Sequence, residues 1–426
     1  MKPKARCYDT YVEILNEELL PALGCTEPIA LAYCCALARQ LLGTLPEKSV
    51  VEVSGNIVKN VKSVVVPHTG GLKGICAAAA AGLVAGDADA KLEVIAKVTP
   101  QQIEQIKGYL RLKNIEVKPY MAENKLDIRV RVFADEHTAC ARISKTHTGV
   151  SYLEKDGQVL LDKTNEKSAE TNTAADRSCL NVRDILYFAD TVNLQDVADV
   201  LERQIAYNTA ISQEGLSGSW GAGIGKLLLQ RFPADIKNKA KAAAAAGSDA
   251  RMSGCELPVV INSGSGNQGM TVSLPVITYA KELNKTHEEL LRALVVANLL
   301  SVRIKSGMGA LSAFCGAVSA GAAAACGIAY LQGGREYEVS HTLVNALAIA
   351  GGIVCDGAKP SCAAKIAVSV EAGLIGYEMV MAGTQFYGGD GILRSGVEKS
   401  IDSIARLGRE GMRDTDIEII RMMTEE

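Results

Sequence analysis

The sequence predicts an α+β protein. A small α/β, antiparallel-rich N-terminal part precedes a larger all-helical C-terminal domain built on buried Ala- and Gly-rich helices. Three observations carry this prediction. Segments within about 90–165 alternate apolar and polar residues, as half-buried antiparallel strands do. From about residue 178 onward nearly every segment has helical spacing. Residues 306–334 contain no charged side chain and are dominated by Gly, Ala and Ser, which suits tight helix packing. The expected division is an α+β domain over 1–175 and a helical domain over 176–426.

Composition sets the limits. A chain of 426 residues has room for two domains, and 48% apolar residues with only 4% aromatics imply a core filled by Ala, Val, Leu, Ile and Gly. A net charge of −3 gives no bulk attraction to nucleic acid or to an anionic membrane. The uncharged stretch 306–334 is long enough to span a bilayer, but its small residues favour a buried helix, so no membrane span is expected. Twelve cysteines are far below the density of a disulfide scaffold. The N-terminus has no apolar core before Asp9 and Glu13, so it does not read as a signal peptide. The expected compartment is the cytoplasm, where thiols stay reduced. The uncharged helices leave surface to bury between copies, so a homodimer is expected.

Taken in order, residues 9–43 read as helix broken at LGCTEP. Pro21 ends the first run, and Cys25 falls at the N-terminus of the second, where backbone N–H groups favour a thiolate. VVEVSGN is a short strand, His68–Gly71 a turn and Leu72–Leu83 an Ala-rich helix. KLEVIAKV reads as a strand, Thr99-Pro100 opens a helix, and Asp156-Gly157 is a hairpin turn. The polar run Lys163–Ala175 reads as a linker. Helices follow at Val182–Leu194, Gln195–Ile211, Ala234–Ala246, Leu274–Leu283 and His287–Lys305. The charged tail Ser400–Ile420 reads as a surface helix.

Two glycine-rich loops resemble nucleotide sites only superficially. Gly264–Gly269 matches G-x-G-x-x-G, but no second parallel strand follows its helix; a substrate-carboxylate cradle at a helix N-terminus is the better reading. SGSWGAGIGKLLL lacks the first glycine and the Ser/Thr of a phosphate loop.

The chemistry-bearing stretch is GGIVCDGAKPSCAAK, residues 351–365. Gly357 and Pro360 break any continuous helix, leaving Cys355 and Cys362 on a tight loop between two buried helices. Such a loop presents soft ligands to a metal or cluster, and Cys315 upstream is a third candidate. Single cysteines elsewhere in Ala-rich helices read as core. The five histidines are scattered and form no rival metal site with carboxylates.

With those residues in view, the sequence resembles the L-cysteine desulfidase family, related to the iron–sulfur L-serine dehydratase alpha chains. The resemblance rests on LGCTEPIALAYCCA, VSGNIVKNVKSVVVPHTGG, SGSGNQG, GALSAFCGAVSAG and CDGAKPSCAAK, and covers nearly the whole chain. It implies a [4Fe–4S] cluster on Cys315, Cys355 and Cys362, with one iron free of protein ligands as a Lewis acid. It implies Cys25 as the base. The expected reaction is elimination of sulfide from L-cysteine, giving pyruvate and ammonia without pyridoxal phosphate. Ser54, Asn56, Lys59 and Asn60, with His68, Thr69 and Gly70, are expected to bind the amino acid, and Ser265, Asn267 and Gln268 to close the other side. Rival readings are an iron–sulfur L-serine dehydratase, a non-catalytic iron–sulfur redox sensor and a pyridoxal enzyme. Cys25 has a rival role as fourth cluster ligand.

Overall fold

The computed structural model describes residues 7–120, 122, 124–164, 175–309 and 312–425. The chain opens with α1 (Tyr8–Glu18), which buries Tyr11, Ile14 and Leu15 at helical spacing. Pro21 prevents its continuation, and the chain extends into β1 (Pro21–Leu23). It then turns through Gly24, at φ +60°, into α2 (Thr26–Leu42), with Cys25 as its N-cap. β2 (Lys48–Ser54) leads into α3 (Gly55–Val61), then α4 (Gly74–Ala85) and α5 (Pro100–Arg111). Thr99 and Gln102 close a capping box at the start of α5.

These helices form the crossover that lets β3 (Ile115–Tyr120) pair parallel to β2. β4 (Asp127–Ala134), β5 (His137–Ser144), β6 (Val150–Lys155) and β7 (Gln158–Asp162) add antiparallel, giving the order β3-β2-β4-β5-β6-β7. The expected hairpin turn at Asp156-Gly157 joins β6 to β7, both residues at positive φ. α2 and α4 pack closely: a Cβ on Gly82 would lie 2.1 Å from Ala32 O. The strand expected at KLEVIAKV is absent. Residues Ala88–Glu93 wind into a 3-10 turn capped by Asp87, and a bond from Asp87 N to Val94 O closes it. Val94 and Ile95 reach the core from this turn without joining a ladder.

The second half is helical: α6 (Val182–Thr191), α7 (Ala198–Ser217), α8 (Ile224–Arg231) and α9 (Ile236–Met252) precede β8 (Pro258–Val260), which pairs antiparallel with β1. α10 (Gly266–Glu282), α11 (His287–Ser306), α12 (Gly316–Leu331), α13 (Glu336–Ala350) and α14 (Cys362–Met381) follow. The uncharged stretch is α12, buried along its length, and among the described residues no helix is long and apolar enough to cross a membrane. α15 (Val397–Arg406) and α16 (Arg413–Thr424) end the chain.

Two cores result. One joins the sheet to α2 and α4; the other gathers the later helices. α1 contributes Tyr8, Tyr11 and Leu15 to the second core, so residues 8–22 sit with the helical part and not with the sheet they precede. Most of the expected linker lies outside the described residues. The amphipathic tail forms two helices in place of one, each keeping an exposed face. α15 buries Ile401 and Ile404, and α16 returns to α3, burying Asp416 there.

Candidate active site

α12 and α14 cross in parallel at small residues. A Cβ on Gly321 would lie 2.5 Å from Ser369 O, and one on Gly373 would lie 2.9 Å from Ala325 Cβ. Parallel packing brings both N-termini to one end. Cys315 is the N-cap of α12, and Cys362 is the first residue of α14. The segment before Cys315 pairs with the segment before Cys355: Cys315 N donates to Ile353 O at 3.0 Å, and Cys355 N to Ala313 O at 2.6 Å. Gly357, at φ +95°, lets the loop seat on α3; a Cβ there would lie 2.0 Å from Lys59 O.

Cys315, Cys355 and Cys362 thus line one cavity of about 700 Å³, together with Cys25. All twelve cysteines are free thiols. Burial, then the neighbouring Cys355, pushes the Cys315 thiol up to about 12, and burial raises Cys362 as well. Among the described residues no three His, Cys, Asp or Glu side chains close tightly enough to hold a single ion. Three thiols that feel one another's charge around a cavity suit a cluster, which meets each of its ligands at a different corner.

The cavity wall is cationic. Lys59, Lys125, Lys145, Arg251, Lys305, Lys365 and Arg409 line it, with Glu27 as the only carboxylate among the described lining residues. Four helix N-termini open onto it, at Cys25, Ser265, Cys315 and Cys362, each carrying about half a positive charge. Burial pulls the Lys305 ammonium down, and the nearby Cys355 and Cys315 oppose that pull. Lys365 is tied to Asp356 in the cysteine loop and donates to Val354 O at 2.8 Å. This surplus of positive charge fits an anionic cluster and a carboxylate substrate. Gln268 presses on Gly316 beside Cys315, and its Oε1, a hydrogen-bond acceptor, is buried without a partner.

Cys25 is 2% exposed and shares an apolar patch with Val64, Met252, Ala358 and Cys362. The helix start does not lower its thiol as expected from sequence. Burial pushes it up to about 12, and Arg251 opposes this only in part. Arg251 is the clamp of the turn. Its Nε and Nη2 donate to Gly24 O at 3.1 and 2.7 Å, and its Nη1 donates to Asn267 Oδ1 at 3.2 Å.

The residues expected to bind substrate divide into two groups. Lys59, Asn60, Ser265, Asn267 and Gln268 line the cavity. Ser54, Asn56, His68, Thr69 and Gly70 do not. Ser54 Oγ donates to Lys125 O at 2.6 Å, and Asn56 Nδ2 to Asp416 Oδ2 at 2.9 Å. His68 faces Glu256 at 3.3 Å, and Thr69 Oγ1 closes its own turn on Val66 O. That turn buttresses the Cys25 turn instead, since a Cβ on Gly24 would lie 2.2 Å from Pro67 Cγ. Lys59 is itself held by Asp416 from α16.

Sequence reasoning missed Glu27, His147, Arg251, Lys305 and Asp416. Glu27 lay within the quoted GCTEP turn and was the one with a local signal. Burial raises its carboxyl, but His147 and Arg251 outweigh that, and the net direction is down.

This fold and site define a class: an α+β protein whose helical core presents three thiols to a cationic cavity beside a fourth. A family model described as the serine dehydratase alpha chain matches residues 89–421, and the chain belongs to that family of iron–sulfur, lyase-type enzymes. Its relatives include a UPF0597 protein of Desulfitobacterium hafniense, 54% identical over 423 residues (99% of this chain, 98% of that one). Another, from Lachnoclostridium phytofermentans, is 49% identical over 416 residues (98% and 99%). A third, from Treponema denticola, is 45% identical over 421 residues (98% of each).

Proposed function

We propose that this protein is an L-cysteine desulfidase, releasing sulfide, pyruvate and ammonia from L-cysteine. The observation that carries the reading is the meeting of Cys25 with Cys315, Cys355 and Cys362 in one cationic cavity. A [4Fe–4S] cluster held by those last three would supply a Lewis-acidic iron with a position open to a soft thiolate. Substrate carboxylate is drawn to Lys305 and to the N-terminus of α10, where Ser265, Asn267 and Gln268 lie. Cys25 takes the α-proton as thiolate. Its buried thiol is a poor acid, so the thiolate is a strong base once formed. Loss of the α-proton and of the β-sulfur gives aminoacrylate, which water converts to pyruvate and ammonia.

Two further readings have specific support. The family match favours L-serine as substrate, with water leaving in place of sulfide. The packing of Cys25 against Cys362 favours Cys25 as a resting fourth ligand. Anaerobic reconstitution with iron and sulfide, followed by sulfide and pyruvate assays on L-cysteine and L-serine, tests the first choice. Sulfide from L-cysteine is expected; pyruvate from L-serine alone overturns the desulfidase reading. Cys25→Ala separates the two roles of the thiol. Loss of a base leaves the visible spectrum unchanged, whereas loss of a ligand alters it.

A further inference from the structure

We propose that Glu27 is the receptor for the substrate's α-ammonium group, and that it makes the cavity select α-amino acids over their desamino analogues. This rests on the reading of the cavity as an amino-acid site. The charge distribution comes first. An amino acid brings a carboxylate and an ammonium into a wall of lysines and arginines. The carboxylate has many partners there, but an ammonium is repelled by nearly all of them. Glu27 is the only carboxylate among the described lining residues, so apart from the cysteine sulfurs it is the side chain there that offers the opposite charge.

Its geometry leaves room for that contact. Glu27 Oε2 accepts Thr26 Oγ1 at 3.2 Å, and Oε1 accepts Asn60 Nδ2 at 3.4 Å; both donors are neutral. The His147 ring, the ionisable group nearest it, stands 4.0 Å from Oε1, at the outer limit of an ion pair and beyond hydrogen-bond reach. A carboxylate offers about four acceptor positions, so strong sites remain for a charged donor. Glu27 also follows Cys25 by two residues on the same turn. An ammonium held there keeps the α-carbon, to which it is bonded, beside the group that takes the α-proton. Asn60, on α3, fixes the carboxylate from the far side.

The test compares wild-type, Glu27→Gln and Glu27→Asp full-length enzyme, each reconstituted with its cluster and matched by visible spectrum. The readouts are KM for L-cysteine and Ki for 3-mercaptopropionate, which keeps the carboxylate and thiol but lacks the amine. In Glu27→Gln, KM is expected to rise about 10- to 100-fold, the range for a lost charge-assisted hydrogen bond, while Ki moves less than about threefold. Glu27→Asp, which keeps the charge, is expected to retain most of the discrimination. Parallel rises in KM and Ki would overturn the assignment and leave Glu27 a structural residue. If wild type binds L-cysteine without releasing sulfide, the desulfidase reading fails, while Kd values for the same pair of ligands still judge Glu27. Equal wild-type affinity for the two ligands also overturns it.

Discussion

Replacing Asp416 by Ala tests whether the last helix belongs to the active-site wall. Lys59 is 1% exposed, and its ammonium meets Asp416, whose other oxygen accepts Asn56 at 2.9 Å. Removing one partner of a buried pair leaves an uncompensated charge, at a cost of about 3–5 kcal/mol. The chain has a cheaper response, because α16 rests on α3 through few contacts. Ile420 covers Gly55, and Lys62 donates to Met423 O at 2.6 Å. If α16 lifts, water reaches Lys59, so the loss is capped by the docking energy of α16. The prediction is therefore local. Amide exchange over residues 413–424 accelerates about 100-fold or more, a loss of about 3 kcal/mol of local protection, while exchange in α12 and α14 stays unchanged. KM for L-cysteine rises as well, since Lys59 no longer holds its place in the wall. The double variant Lys59→Met/Asp416→Leu recovers the protection of α16 but not KM, because an apolar pair can replace the packing of a buried ion pair without its charge. Exchange of 413–424 in Asp416→Ala within about threefold of wild type would refute the reasoning, since the 3 kcal/mol loss it rests on corresponds to over a hundredfold.

Three other outcomes are expected. In cluster-free protein, the Cys25 thiol is raised to about 12, so it is protonated at neutral pH, and its alkylation rate rises tenfold per pH unit through pH 10; a plateau below pH 9 would contradict its burial. Single Ser substitutions of Cys315, Cys355 or Cys362 abolish iron binding and visible absorbance after reconstitution, whereas Cys76→Ser, at an exposed position on α4, retains both. Gly357→Ala adds a Cβ that would lie 2.0 Å from Lys59 O at φ +95°, so thermal scans should show a loss of at least about 2 kcal/mol and iron content should fall with it.

What the sequence disclosed about the fold followed the range of the interactions. Local signals read well. Pro21 and Gly24 mark the break before α2, Thr99-Pro100 opens α5, and Asp156-Gly157 makes the hairpin, because turn and cap chemistry is set within four residues. KLEVIAKV failed for a different reason. Its apolar spacing needs Val94 and Ile95 buried, and either a strand or a compact turn can bury them. β2 has β3 on one side and β4 on the other, and the segment closes on itself through Asp87 N and Val94 O. The place of α1 was hidden too, since pairing Pro21–Leu23 with Pro258–Val260 is a contact across more than two hundred residues.

The site divides along the same line. The thiols were legible because thiols are few in kind and sit at breaks that Gly357 and Pro360 announce. The cations that neutralise them were not, since a lysine's sequence neighbours say nothing about whether it faces water or a cavity. Lys59 was expected there only through the motif it sits in. By composition it is a surface residue, yet it is buried because α16 brings Asp416 from 357 positions away. His68 illustrates the converse. Its polar, glycine-rich turn has the chemistry of a binding loop, but Pro67 must reach Gly24, and that contact turns the loop away from the cavity and makes it a brace. Substrate contacts are therefore better sought on the braced turn than on the brace. Glu27 lies on the braced one, two residues beyond the thiol.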